Sequence, residues 1–519
     1  MNNNFNSTVN SFLGALKNEN NYTRTWNGAV AKKSTGSKLY DMFAMGGSYR
    51  SHSEADCTLL FKEAYLENPS YALRCLAYLR DIESQGQGER RFFRVVLKWL
   101  AGYDKRAITR NLEYMVQNNI CRWDDILVLF DTEAEDIAMD LIRKQLTKDM
   151  AAMRSSDTAP VSLCAKWLKS TNCSSAKSKA IGRKTARNLG ITERQYRKML
   201  SALRERINVV ERLMSQNRWE EIDFQHLPSR AGLIYRNCFK NKGLIAEKYR
   251  EFAKSDKTVN AGKLYPYDIV REVEKLMDCG SYYCHKNVAL DSTERLMLNK
   301  YWANLDSVIP QDVPFNGMVV CDTSASMLCG ASNTATPMQV AVSLAIYAAE
   351  RAQGPFKNHY ISFSHNAKLI EVKGVDFCDK VDRIMRANLC QDTNLESVFD
   401  LVLSTAMKYH LPQNQIPQTL VVVSDQQVNA ATGYGFNQDT FMQSMRKKWM
   451  ATCGGKYEMP KLCYWNVNAA NPTFLEDPRS DITFCSGASP TLFNQIVRGV
   501  SGEDLMWDAL NNERYIPIK

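Results

Sequence analysis

An apolar run, Val319-Val320-Cys321, leads directly into Asp322-Thr323-Ser324-Ala325-Ser326. The spacing Asp-x-Ser-x-Ser puts one carboxylate and two hydroxyls on a tight loop at the C-terminal edge of a strand. Hard divalent cations prefer such all-oxygen donor sets. Ser and Asp also populate turns for their own backbone hydrogen bonds, so the loop by itself equally suits a turn without an ion. Two later stretches add weight to the cation reading. Gln391-Asp392-Thr393-Asn394 precedes an apolar helical pattern, and the apolar run 418–424 ends at Asp425.

The elements that must position these residues begin near Pro310. From there strand-like and helical runs alternate: strand 317–321, helix 337–353, strands 359–364 and 367–372, helices 378–388 and 394–409, strand 418–424, helix 438–450, strands 461–467 and 482–485, helix 490–499. Thr336-Pro337-Met338-Gln339 combines a capping box with proline at the first helical position. The alternation predicts a doubly wound α/β domain with a mostly parallel sheet. Such folds bind ligands at the C-terminal ends of their strands, where the Asp-x-Ser-x-Ser loop lies.

From about Glu54 to Glu251 the pattern is helical instead, with apolar residues three and four apart and no comparable strand signal. Segments 89–101, 107–117, 134–153, 161–169, 192–215, 229–239 and 244–254 read as helices with short links, hence an α-solenoid or irregular helical array, although no clean repeat period is present. In 192–215, Thr192 and Gln195 form a capping box with Ile191 and Tyr196 as a staple. Tyr196, Leu200, Leu203, Ile207, Val210 and Met214 then make one buried stripe, leaving Arg194, Lys198 and Arg212 opposite. The chain thus divides into an extension (1–53), a helical region (54–310) and an α/β domain (311–519).

With 519 residues, the chain is too long for one ordinary core. No apolar run reaches the length of a membrane span, and the start lacks the basic and apolar parts of a secretory signal. Fifteen cysteines, an odd number scattered through helices and strands, suggest reduced thiols in a cytoplasm. Cys279 and Cys284-His285 are the one close Cys/His group, at a spacing poor for zinc. The net charge of +10 is concentrated. Lys166 to Arg218 holds fourteen Lys and Arg against three acids, and the rest of the chain is nearly neutral. Such a footprint suits nucleic-acid phosphates, and it also suits a solvated helix face or a protein contact. The RNA-contacting candidates are Lys177, Lys179, Arg183, Lys184 and Arg187, with Arg194 and Lys198 on the ridge of the next helix. Trp167 and Trp219 fall in or beside this zone, where stacking on unpaired bases and ordinary core packing are both open to them, whereas Tyr196, in the apolar stripe, reads as packing. No RNP1, KH or C₂H₂ motif is present.

The Asp322 loop, Thr393 and Asp425 together resemble the metal-ion-dependent adhesion site (MIDAS) of von Willebrand factor A (vWA) domains, with Asp322, Ser324, Ser326, Thr393 and Asp425 matching its five positions. A helical region followed by such a domain resembles the Ro autoantigen family, whose TROVE module is a ring of helical repeats. It is more closely similar to a large family of TROVE-like proteins with that layout. Arg122-Trp123-Asp124-Asp125, Ala165-Lys166-Trp167-Leu168, Tyr196 to Leu200 with Arg204 to Glu211, Pro228-Ser229-Arg230-Ala231 and Tyr265-Pro266-Tyr267-Asp268 carry that likeness.

The resemblance implies HEAT-like repeats, a Rossmann-like vWA domain, RNA as a partner, and Mg²⁺ or Mn²⁺ with one position open for an acidic residue of a protein partner. The expected function is a non-enzymatic, cytoplasmic ribonucleoprotein component. A metal-dependent interaction scaffold or assembly adaptor without RNA is the alternative. A hydrolase using the metal is a third reading, in which His365 would act as ligand or base.

Overall fold

The computed structural model describes residues 16, 19–83, 86–278, 286–329, 335–386, 392–431, 439–468, 472–476, 482–500 and 502–519. Cys279, Cys284, His285 and Gln391 lie outside the described residues. The chain forms two compact units, each discontinuous in sequence: Met1–Ala72 with Tyr265–Val288 and Leu305–Asn511, and Leu73–Leu264 with Ala289–Asn304 and Asn512–Lys519. The chain crosses between them several times, where the sequence pattern suggests single boundaries near 53 and 310.

The first unit is α/β. A hairpin of β1 (Tyr22–Arg24) and β2 (Val30–Lys32) stands apart from a six-stranded sheet. The sheet comprises β3 (Gly317–Asp322), β4 (His359–Phe363), β5 (Ala367–Glu371), β6 (Thr419–Ser424), β7 (Lys461–Asn466) and β8 (Ile482–Ser486), in the order β5-β4-β3-β6-β7-β8. All pairings are parallel except β4 with β5. Every residue of β3 and all but the first of β6 are buried, as the continuous apolar runs require when helices cover both faces. Helix Pro337–Arg351 starts at the expected Thr336–Gln339 capping box and is buried on all sides through Ala349, packing on β3, β4 and β6. Numbered along the sheet domain, the strand order is 3-2-1-4-5-6, and it reverses between β3 and β6. The loops after those two strands therefore border the crevice where open α/β sheets take their ligands.

The residues read as an extension belong to this unit. Tyr40, on helix Lys38–Met45, accepts a hydrogen bond from the Phe484 N–H of β8 (3.2 Å). Gly47 lies so close to β8 that a Cβ there would meet the Ser486 backbone at 2.7 Å. The hairpin is pinned to the loop after β6: Thr25 Oγ1 donates to Val428 O (2.6 Å) and Asn27 Nδ2 to Gln427 O (2.5 Å).

The second unit is helical. Arg90–Tyr103, Lys105–Gln117, Glu135–Ser155, Ser229–Asn241 and Gly243–Lys254 match the periodic segments within a few residues. Two segments differ. The segment 161–169 is helical only over Cys164–Trp167, because Ser162 is held by Asp149 through its N–H (3.0 Å) and hydroxyl (2.6 Å). The segment 192–215 is two helices, Glu193–Arg206 and Val210–Ser215. Asn208 adopts φ 54°, with Asn208 N–H donating to Glu205 O and Val209 N–H to Arg204 O. That is a Schellman-type stop, for which Asn tolerates the left-handed backbone. The capping box at Thr192 and Gln195 and the burial of Tyr196, Leu200 and Leu203 stand as read.

An ion network fixes the first half of the unit. Asp125, fully buried, takes Arg80 at 2.7 Å and Arg94 at 2.7 Å. Asp124 takes Arg94 and Arg122. Removing one member of a buried pair leaves the other charge uncompensated, at a cost of about 3–5 kcal/mol, whereas an apolar pair of similar volume is often tolerated. Asp125→Ala should therefore lower the chemical-denaturation midpoint strongly, and Arg80→Met with Asp125→Leu less, since Arg94 keeps Asp124 while only its bond to Asp125 is lost. Equal losses for the two variants would show that packing, not charge, sets the cost there.

Candidate metal site and basic surface

Asp322 ends β3 and Asp425 follows β6, so neighbouring parallel strands deliver the two carboxylates to the sheet's reversal point. Both are buried. Asp322 Oδ1 accepts from Ser324 N–H (2.9 Å), and Oδ2 accepts from the Ser424 hydroxyl (2.6 Å). The Ser324 and Ser326 hydroxyl oxygens are 3.1 Å apart, and Ser326 hydrogen-bonds the Asp425 carboxyl. Four of the five expected residues thus form one cradle.

Thr393 is buried nearby, and its segment is tied to both strands that flank β3. Asn394 N–H donates to Ser364 O just past β4 (2.8 Å), and Thr393 O accepts from Asn429 N–H in the loop after β6 (3.0 Å). Ser424 was not foreseen. A strand-end serine next to an aspartate carries no sequence signal of its own.

The electrostatics of the cradle are unfavourable without a cation. Among the described residues no Lys, Arg or His pairs with Asp322 or Asp425. Burial, and then the Asp425 charge, push the Asp322 carboxyl from the ordinary 3.8 up to about 7. Burial raises Asp425 as well. Just beyond, Gln426 adopts φ 69°, and the side-chain carbonyl oxygens of Gln426 and Gln427 are buried without a hydrogen-bond partner. Two carboxylates and the hydroxyls of Ser324, Ser326 and Ser424 make a hard-oxygen donor set. Mg²⁺ fits it, since that ion binds through one or two carboxylates and keeps several waters. Among the described residues no group of three His, Cys, Asp or Glu side chains offers a rival site. His365 is exposed, with Nδ1 2.8 Å from Asp392 Oδ2, and its carbonyl accepts from Asn394 Nδ2 (3.1 Å), so it borders the Thr393 segment.

The basic stretch divides into bound and free charges. Helix Ala176–Asn188 lies against Lys169 and Ser170 through Gly182, where a Cβ would meet the Lys169 carbonyl at 2.7 Å. Lys184 is paired with Asp131 and with Glu135, the latter at 2.6 Å. Arg183 pairs with Glu193 (3.2 Å). Arg204 donates to the carbonyls of Ala165 and Leu168, and Arg206 to those of Ser156 and Ala159. Trp167 lies under the Arg122 guanidinium (3.9 Å), and Lys242 lies over Trp219 (5.2 Å). Lys177, Lys179, Arg187, Arg194 and Lys198 make no side-chain hydrogen bond or ion pair among the described residues, and all but the half-buried Lys179 are exposed.

A domain of unknown function (DUF2828) matches residues 25–132 and 128–309, more than half of the chain. The chain belongs to the DUF2828 family. A second domain of unknown function (DUF7788) matches residues 316–509, which span the sheet and the cradle. The chain is similar to the uncharacterized protein L728 of Acanthamoeba polyphaga mimivirus, 28% identical over 513 residues, 92% of this chain and 85% of that one. Among solved structures it is similar to the Ro (RSR) protein of Deinococcus radiodurans, with TM-score 0.50 and 15% identity over 90% of this chain and all of that one. The fold is thus Ro-like, a helical region combined with a six-stranded mixed α/β sheet. No helix among the described residues is long and apolar enough to cross a membrane.

The raised Asp322 pKa has a definite sign. A carboxyl whose folded-state pKa lies above its unfolded value stabilises the fold below the unfolded value, and that contribution is lost as pH rises through the folded one. In chelator, Asp322→Asn should therefore be more stable than wild type at about pH 8, and the difference should shrink toward about pH 5. Denaturation at the two pH values measures it. A difference that does not change with pH would show that the pair is not strained.

Proposed function

We propose that this protein is a non-enzymatic RNA-binding protein with a vWA-type, metal-dependent docking site. The observation that carries the reading is the pairing of a Ro-like fold over 90% of the chain with an oxygen cradle at the reversal point of its sheet. Asp322, Ser324, Ser326 and Asp425, with Thr393 alongside, would hold Mg²⁺ or Mn²⁺. When bound, the ion offers a position that a partner's carboxylate completes. The chain's own part is to present the cradle rigidly: Ser324 N–H and the Ser424 hydroxyl orient Asp322, and Ser326 orients Asp425.

RNA would engage the helical unit mainly through phosphates. The unpaired cations Lys177, Lys179, Arg187, Arg194 and Lys198 carry that role. Arg183 and Lys184 are already neutralised by carboxylates and contribute less. In this reading the site works by binding, and His365 pairs with Asp392.

Each phosphate neutralised releases counterions, so five contacts to a single strand give a slope of log K against log salt of roughly −3.5. Changing the five free cations to Gln should flatten that slope and weaken all RNA sequences alike. Arg183→Gln with Lys184→Gln should change it little. An unchanged slope in the five-residue variant would refute the surface. A wild-type protein that binds no RNA at about 50 mM salt, where phosphate-driven binding is strong, would favour the scaffold reading. Separately, Asp322→Ala should abolish Mg²⁺-dependent partner binding while leaving RNA affinity near that of wild type.

A further inference from the structure

Trp26 is 83% exposed, the most exposed large apolar residue among those described. Single exposed apolar residues are ordinary. The position of this one is not. Thr25 to Gly28 is the turn of the β1–β2 hairpin, closed by Gly28 N–H to Thr25 O (3.0 Å) and Thr25 N–H to Ala29 O (2.9 Å). Gly28 takes φ 90°, which glycine adopts without strain. The residues on either side of Trp26, Thr25 and Asn27, are those that bond the carbonyls of Val428 and Gln427. Gly28 continues the contact with a bridge to Asn429. Asn429 in turn donates its N–H to Thr393 O (3.0 Å) and its Nδ2 to Asp392 Oδ1 (2.7 Å). A tied turn thus carries Trp26 on the loop that follows Asp425 and braces Thr393. Each step along the chain covers about 3.8 Å, so Trp26 lies within about 20 Å of Asp425. On the side of the Asp322 loop, Leu328 ends the short helical turn Ala325–Leu328 and is 38% exposed. The cations flanking the hairpin turn are engaged. Arg24 Nη1 donates to Gly28 O (2.9 Å), Lys33 Nζ donates to Asn20 O (3.0 Å), and the Lys32 ammonium lies over the Tyr22 ring (5.8 Å). His365 is matched by Asp392.

We propose that Trp26 and Leu328 form an apolar rim to the metal cradle, and that this rim docks a short protein segment in which one acidic residue, directed at the ion, is flanked by apolar side chains. The proposal rests on the metal-dependent docking function given above and names the chemistry of its partner. The ion's open position takes a carboxylate. A tryptophan fixed on a tied turn gives an apolar side chain a large contact at little cost in ordering. Tryptophan is also among the few residue types that carry most of an interface's binding energy. Six extended residues reach about 20 Å, enough to span the ion and Trp26. An RNA strand matches this surface less well, because phosphates bind by charge and the cations beside the turn are already engaged.

The test uses the full chain and a phage-displayed library of random peptides with a fixed central Asp, roughly twelve residues long, twice the reach required. Peptides held in Mg²⁺ and released by chelator are sequenced, and their affinities are measured. Wild type should enrich peptides with aromatic or branched aliphatic residues within about six positions of the Asp. Trp26→Ser should bind these peptides about tenfold more weakly, and Leu328→Ser also more weakly than wild type, whereas Trp26→Phe should keep most of the affinity. Met450→Ser, a change at another exposed apolar residue of the same unit, should bind as wild type does. Titration of Mg²⁺ alone should give equal affinities for Trp26→Ser and wild type, which separates the rim from the ion. If wild type takes up Mg²⁺ but selects no chelator-released peptide, the rim is overturned. It is overturned equally if the selected peptides bind Trp26→Ser as tightly as wild type. If wild type takes up no Mg²⁺, the docking reading itself falls, and the rim with it. If Trp26→Ser weakens binding of a uridine oligonucleotide and leaves peptide affinity unchanged, the rim serves RNA and the protein occupant is overturned.

Discussion

Burying Asp322 and Asp425 at the ends of adjacent parallel strands, with no cationic side chain paired to either among the described residues, is the constraint on which the α/β unit depends. Each carboxylate is desolvated, and the two repel. The hydrogen bonds from Ser324 N–H and the Ser424 and Ser326 hydroxyls offset part of that, but hydroxyls and amides do not neutralise charge. A proton or a cation must supply what remains. The sheet's reversal between β3 and β6 creates the crevice, the all-apolar strands keep it dry, and the helix Pro337–Arg351 holds β3 in place. The hairpin at residues 22–32 adds a brace from outside, bonding the loop that follows Asp425.

The helical unit follows a different electrostatic logic. Much of its positive charge is structural. Arg204 and Arg206 cap the carbonyls of residues 156–168, Lys184 bridges to Asp131 and Glu135, and Arg80 neutralises Asp125 in the interior. The stretches Arg122–Asp125, Ala165–Leu168 and Tyr196–Leu200 prove to be one assembly. Arg122 lies on Trp167, and the Tyr196 hydroxyl donates to Lys169 O (3.1 Å). These bonds hold the 164–170 segment, and Gly182 then seats the basic helix upon it. The cations left free are therefore displayed on a braced surface.

How legible this was depended on the kind of signal. The five mutually parallel strands were plain, because buried parallel strands read as largely apolar runs, and these and the exposed antiparallel β5 all match to within a residue or two. The Asp-x-Ser-x-Ser loop was visible because its residue types are chemically distinctive. Ser424 and the hairpin at residues 22–32 were not, because a lone serine and three-residue strands carry no periodicity. The break at Asn208 was hidden by an apolar stripe that continues in phase through Val210, so side-chain spacing could not reveal a backbone stop. A charge sum over Lys166–Arg218 could not tell free cations from paired ones either. Their partners, Asp131, Glu135 and the carbonyls of residues 156–168, lie mostly outside that window and meet it through the fold.

Direct titration of Mg²⁺ into the chelator-stripped chain, by calorimetry in two buffers of different protonation enthalpy, tests the central claim most closely. The account predicts one saturable site in wild type and none in Asp322→Ala. It also predicts proton release on binding near neutral pH, because the ion displaces the proton that the strained carboxylate pair would otherwise hold. Absence of saturable binding, or binding that survives Asp322→Ala, would contradict it.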